Sequence, residues 1–153
     1  MTSVNGVPVL HLAGLLGLLM KRLRADMAET TEAAFPDLRV SHLRLLELIP
    51  VEGARITDLA EVAGMTKQGL GQHVDYLERH GYVVSERLAE DKRVRLVVRT
   101  ARGDEAVQVS TTAIARVEGR WRDELGTERF EEFVAIAKTL GLSDAGLTDQ
   151  PAR

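Results

Sequence analysis

Between Thr57 and Thr100 the chain reads TDLAEVAGMTKQGLGQHVDYLERHGYVVSERLAEDKRVRLVVRT, and the order of signals in this stretch decides the fold. Ile56 precedes Thr57, an N-cap for a short helix over Asp58–Ala63 that Gly64 stops. Thr66 caps a longer helix that runs to His80, with Gly81 in its C-terminal cap position. After Gly81 the period shortens to two residues. Tyr82–Arg87 and Val94–Arg99 read as strands joined by Leu88-Ala89-Glu90-Asp91-Lys92-Arg93. On the second strand Val94, Leu96 and Val98 are expected on one face, with Arg93, Arg95 and Arg99 on the other. Two helices with a tight turn at Gly64-Met65, followed directly by a basic hairpin, describe a winged helix-turn-helix.

The longer helix has a definite orientation. At ~100° per residue Leu70, Val74 and Leu77 fall within about 60° of one another and form the packing face. Gln68, Gln72, Asp75 and Arg79 lie opposite. The first two turns of that outer face carry Lys67, Gln68 and Gln72, all hydrogen-bond donors, whereas the third carries Asp75 and Glu78, which phosphates repel. Such a helix suits a major groove approached by its N-terminal end, where free N–H groups and the helix dipole meet phosphate. A glutamine carboxamide fits adenine N6 and N7 in a bidentate contact. Gly69 and Gly71 cost roughly 1 kcal/mol each against alanine in a helix, which makes sense where DNA must lie close. The candidate DNA contacts are Thr66, Lys67, Gln68, Gly69, Gln72 and His73 on the helix and Arg87, Lys92, Arg93 and Arg95 on the wing.

Charge is partitioned in the same sense. The 153-residue chain has a formal net charge of −3, so nucleic-acid binding must come from local charge. Ser85–Gly103 holds six basic and three acidic residues, against six basic and ten acidic after Gly103. The wing is the most basic part of an acidic protein, as phosphate contact requires.

Around this segment the chain is helical. Leu10–Thr30 reads as one helix in which Leu12, Leu15, Leu16, Leu19, Leu23 and Met27 recur at three- and four-residue spacing. Leu10, Leu18 and Met20 widen its apolar arc, which implies either a partner subunit or a central place in the core. Phe35-Pro36-Asp37 breaks the pattern, and Ser41 is the expected N-cap of a helix to Ile49, closed by Pro50. Thr100 caps a long helix, about Ala101–Glu124, with Val107, Ile114, Val117 and Trp121 on its apolar stripe. Thr127 opens a last helix carrying Phe130, Phe133, Val134, Ala137 and Leu140, ended by Gly141. The expected fold is mainly α with a small β-hairpin wing: a DNA-binding lobe over 33–103, helical dimerisation parts over 1–32 and 104–142, and a flexible tail over 143–153.

These segments resemble the MarR family of bacterial transcription regulators along nearly the whole chain. The resemblance rests on Leu59-Ala60-Glu61-Val62-Ala63-Gly64-Met65-Thr66-Lys67-Gln68 and on Leu77-Glu78-Arg79-His80-Gly81-Tyr82-Val83. Its most specific part is Asp91-Lys92-Arg93 with Thr100-Ala101-Arg102-Gly103 at the expected distance. The family pattern is Asp-x-Arg, a short apolar strand, then Leu-Thr-x-x-Gly; here Arg99 stands where an apolar residue is usual. The resemblance implies a symmetric homodimer joined by the first and last two helices, binding double-stranded DNA at a palindromic operator. It implies that Arg93 enters the minor groove and that Asp91 holds the wing's arginines. It also implies repression relieved by a small, often aromatic or anionic effector between the dimerisation helices and the DNA lobe, where His11 and His42 are candidate polar groups.

Other classes find little support. Cysteine is absent, which removes disulfides, thiolate metal sites and peroxide sensing through a thiol. The histidines His11, His42, His73 and His80 show no chelating spacing with a carboxylate, so a metal-responsive regulator is the weaker alternative, and no metal or cofactor is expected. No nucleophile elbow, phosphate loop or zinc-protease motif marks an enzyme. A non-specific architectural DNA-binding protein remains the other alternative. The apolar run Val7–Met20 is interrupted by Pro8 and His11 and is too short to span a bilayer, so no membrane association and a cytoplasmic location are expected.

Overall fold

The computed structural model describes residues 11–142 together with the two dipeptide strands β1 (Ser3–Val4) and β2 (Val7–Pro8), which pair antiparallel. The order then runs α1 (Leu12–Ala34), α2 (Val40–Leu48), β3 (Ala54–Arg55), α3 (Ile56–Ala63), α4 (Lys67–Arg79), β4 (Val83–Arg87), β5 (Arg95–Arg99), α5 (Ala101–Leu125) and α6 (Thr127–Leu142). Leu10 and the expected tail over 143–153 lie outside the described residues. The expected helices are present, and α1 continues to Ala34 before Phe35-Pro36 ends it.

Two hydrophobic cores divide the chain. One unites α2, α3, α4 and the sheet around Leu43, Leu46, Leu70, Val74, Leu77, Tyr82 and Val97. Burial of each such side chain contributes about 1.5–3 kcal/mol. The other joins α1, α5 and α6 through Met27, Ala113, Val117, Trp121 and Phe130. Helix α5 places Ala106 in the first and Ala113 and Val117 in the second, so it is the spine between them. Trp121 Nε1 donates to Asp26 on α1 at 3.1 Å, and Arg120 pairs with Glu29.

Caps set the central geometry. Gly64 turns the chain at φ 64°, and Met65 N–H bonds back to the Ala60 carbonyl at 2.9 Å. Only a residue without Cβ takes that conformation at little cost. Thr66 Oγ1 accepts the Gly69 N–H and Thr100 Oγ1 the Gly103 N–H, as expected for N-caps.

Three expectations need correction. Ser41 is not the cap of α2: the helix starts at Val40 behind Arg39, whose N–H is taken by His42 Nδ1 at 3.2 Å. Helix α3 starts at Ile56 rather than Asp58, so Thr57 lies inside it. The wing hairpin is extended to a three-stranded sheet in the order β3-β5-β4, with Ala54 opposite Val97 and Arg55 opposite Leu96.

The two faces of β5 alternate as expected, and the face of the arginines is the one that meets the core. Val97 is fully buried, so its neighbours in alternation, Arg95 and Arg99, lie on the core side, while Leu96 and Val98 are half-buried. The arginines tolerate that side because each reaches a set of acceptors. Arg99 donates to the Leu46 and Ile49 carbonyls at the end of α2 and to Asp104 at 2.7 Å. This explains the residue before Thr100 that departs from the usual apolar one: a guanidinium caps α2 and ties it to α5.

Candidate nucleic-acid interface

Helix α4 presents the surface that its sequence anticipates. Leu70, Val74 and Leu77 are completely buried, whereas Gln68, Gln72, Asp75 and Arg79 are exposed. Thr66 and Lys67 are exposed at its start; Gly69 and His73 are half-buried. A Cβ at Gly71 would meet nothing within 4 Å, so packing inside this chain does not require a glycine there.

The hairpin carries exposed Arg87, Lys92 and Arg93. Asp91 organises its tip through the backbone: Oδ1 accepts the Arg93 N–H at 3.0 Å and its carbonyl accepts the Val94 N–H at 2.9 Å. Arg87 donates to the Lys92 carbonyl at 2.7 Å, tying the ascending strand to the loop. Arg95 is turned the other way, toward α4, where Asp75 and Glu78 receive its guanidinium.

Behind this surface lies a cavity of about 710 Å³ bounded by α1, α2 and the α3–α4 turn. Its wall includes Met20, Arg24 and Glu32 from α1, Arg39, Arg44 and Leu45 from α2, and Met65 and His73 from the reading side. Three arginines against one glutamate make it electropositive within an apolar frame.

The sequence model of the MarR family matches residues 37–94, the run from the approach to α2 through α4 to the wing tip. Over those residues the chain is similar to the MarR family. Solved MarR-fold structures superpose on almost all of it. The transcriptional repressor CouR bound to a 23-mer DNA duplex matches with a TM-score of 0.70 and 24% identity, covering 86% of this chain and 92% of that one. CouR from Rhodococcus jostii RHA1 bound to p-coumaroyl-CoA matches with a TM-score of 0.68 and 18% identity over 88% and 94% of the two chains. A mutant MarR from E. coli matches with a TM-score of 0.69 and 16% identity over 88% and 98%. No curated protein matches the chain by sequence.

The two histidines expected near an effector separate. His11 is exposed and immediately precedes α1, and neither it nor His42 lines the cavity. His42 sits behind the wall, 7% exposed, stacked on Tyr76 with ring centroids 4.5 Å apart and with His73 edge-on at 5.4 Å. Tyr76 in turn stacks on His80 and donates from its hydroxyl to the Asp37 carbonyl at 2.6 Å. His73, expected only as a DNA contact, is the histidine that reaches the cavity. Sequence reasoning missed Arg24, Arg39 and Arg44; their signal is three arginines flanking the Phe35-Pro36 break from opposite sides. Among the described residues no group of three or more His, Asp or Glu side chains could hold a metal ion, and no helix is long and apolar enough to cross a membrane.

The buried ring has a measurable consequence. Burial, and then the neighbouring His73, Arg39 and His80, hold His42 below the ordinary imidazole range, with Asp37 opposing. The unfolded chain therefore binds a proton near pH 6.5 that the folded chain resists. The associated stability is fully present above that pH and is lost as pH falls through the lower folded value. His42→Asn keeps an acceptor for the Arg39 N–H without titrating, so it is expected to flatten the fall in melting temperature between about pH 7 and pH 5. Parallel curves for the two proteins would exclude His42 as the source.

Proposed function

We propose that this protein is a MarR-family regulator: a sequence-specific, homodimeric DNA-binding repressor of a palindromic operator, released by a small anionic effector held in the α1–α2–α4 cavity. One observation carries the reading: the exposed face of α4 from Thr66 to Gln72 holds donors and no carboxylate, and the acidic groups begin a turn later. Lys67, Gln68 and Gln72 meet base edges and phosphates of the major groove, while Lys92 and Arg93 at the wing tip approach the neighbouring minor groove. The open space at Gly71 is where DNA backbone comes close. Dimerisation through α1, α5 and α6 places two such helices about one helical turn of DNA apart.

The cavity supports the effector half of the reading. It lies between α1, which belongs to the dimerisation part, and Met65 and His73 of the reading lobe. A molecule with an apolar body and an anionic group, neutralised by Arg24, Arg39 and Arg44, favours whichever spacing of lobe and dimer helices gives it most contact. The DNA-bound and p-coumaroyl-CoA-bound CouR structures exemplify the two kinds of ligand on one fold.

The test is selection of bound fragments from sheared genomic DNA by the purified protein at near-physiological salt. Enrichment of a palindrome is expected; retention without a shared sequence means an architectural role, and no retention at any salt overturns DNA binding. On the selected site, Gln68→Ala is expected to relax preference at one or two base pairs by about 1–3 kcal/mol. Arg93→Ala should instead weaken binding across sequences and reduce the slope of log affinity against log salt by about 1. Unchanged binding by both variants excludes this docking.

A further inference from the structure

We propose that Arg95 is a positioning residue, a strut that locks the wing to the recognition helix, and that it touches no DNA. The proposal rests on the DNA-binding reading above but concerns how that surface is held. Arg95 projects from β5 into a cage of acceptors. Its Nε donates to Ser85 Oγ on β4 at 2.7 Å, Nη2 to Glu78 Oε2 on α4 at 2.6 Å, and Nη1 and Nη2 to Asp75 Oδ1 at 3.3 and 3.2 Å. Glu78 closes the ring, since its Oε1 accepts the Ser85 N–H at 2.8 Å. One side chain thus joins both strands of the hairpin to the third turn of α4.

A guanidinium is suited to this place because its donors lie in a fixed planar fork that spans several acceptors at once. With Nε and both terminal nitrogens engaged, little donor capacity is left for a phosphate. The arrangement also accounts for Asp75 and Glu78, two acids on a helix meant to approach a polyanion. They face the wing's arginine and hold the angle between hairpin and helix, which sets whether Arg93 and Gln68 reach adjacent grooves together. Asp91, by contrast, holds only the backbone of the tip.

The signs of three substitutions separate a strut from a DNA contact. Measured on the selected operator across a salt series, Arg95→Lys is expected to lose about as much affinity as Arg95→Gln, roughly five- to tenfold, with the salt slope unchanged in both. A lysine keeps the charge but has no fork to bridge Ser85, Glu78 and Asp75. Glu78→Gln, which removes a negative charge, is expected to weaken binding, and Arg95→Gln added to it should cost little more. If Arg95 is a phosphate contact instead, lysine will retain affinity, glutamine will lower the slope by about 0.9, and Glu78→Gln will tighten binding. Amide exchange without DNA tests the strut independently: Arg95→Lys should speed exchange across 84–98 while leaving α2 and α5 protected. Unchanged wing exchange overturns the strut even if operator binding is intact; faster exchange with no operator binding by the parent protein keeps the strut and sinks only the DNA-binding reading.

Discussion

Gly103→Ala is expected to cost about 3 kcal/mol of stability, at the upper end of what overpacking does, and to lower the melting temperature by roughly 6–12 °C. A Cβ on Gly103 would lie 2.2 Å from the carbonyl oxygen of Tyr82 and 3.3 Å from Cβ of Arg99. Neither neighbour can yield. The Tyr82 carbonyl accepts the Thr100 N–H at 3.1 Å, the Thr100 hydroxyl donates to the Gly81 carbonyl at 2.7 Å, and the Tyr82 ring is fully buried in the lobe core. To admit a methyl group, the first turn of α5 must lift from the start of β4, which separates the lobe from its spine. The glycine of the Thr-x-x-Gly motif is therefore needed for close approach of two backbones, not for an unusual φ. Gly71→Ala provides the contrast: the space at its Cβ is open, so the free protein should gain up to about 1 kcal/mol from helix propensity. Its operator affinity should nevertheless fall if DNA fills that space. Thermal denaturation of both variants checks the pair, and a Gly103→Ala protein that melts with the parent refutes the close-approach account.

What the sequence disclosed was mostly local. Thr66, Thr100, Gly64 and Gly81 announce caps because a cap is satisfied within a few residues, and Leu70, Val74 and Leu77 announce a buried stripe because helix geometry alone aligns them. Which face of β5 meets the core does not follow from the same logic. Three apolar residues, Val94, Leu96 and Val98, outvote Val97 by count, yet β5 is the central strand, paired in plane with β3 and β4, and the face of Leu96 and Val98 is met by the turn at Gly53. A strand covered on both sides has no single polar face, and Arg95 and Arg99 reach the core side only because distant acceptors on α4 and α2 receive them. The caps of α2 and α3 failed for other reasons: His42, at the third position of α2, reaches back to the Arg39 N–H as a Glu or Gln does in a capping box, and α3 starts behind Arg55 with no side-chain cap bond. The cavity was the least legible feature, since Arg24 meets Arg39 and Arg44 only through the packing of α1 against the lobe.

Leu12→Glu with Leu16→Glu is expected to convert the protein into a folded monomer of 16.8 kDa and to abolish high-affinity operator binding. Helix α1 was expected either at a partner interface or in the centre of the core, and the single chain excludes the second. Leu12 is 69% exposed and Leu15, Leu16 and Leu18 are each at least 50% exposed, while only Met27 and Thr31 on α1 are buried. On α6, Ile136 at 52% and Leu140 at 72% continue the exposed apolar surface with Phe133. A second copy of the same surface matches these apolar side chains in chemistry and is the partner expected here. The glutamates remove about 1.5–3 kcal/mol of burial per leucine in each protomer and place four carboxylates in one apolar interface. Because those leucines contribute little to either core, helical content should survive, and melting should cease to depend on protein concentration. Half-site binding by one recognition helix lacks the second set of contacts that a palindrome supplies, so affinity should drop by several orders of magnitude. Sedimentation equilibrium and operator titration on the same sample decide the matter: a dimer that persists with both glutamates places the interface elsewhere, and a monomer that still binds the operator tightly removes the need for symmetry.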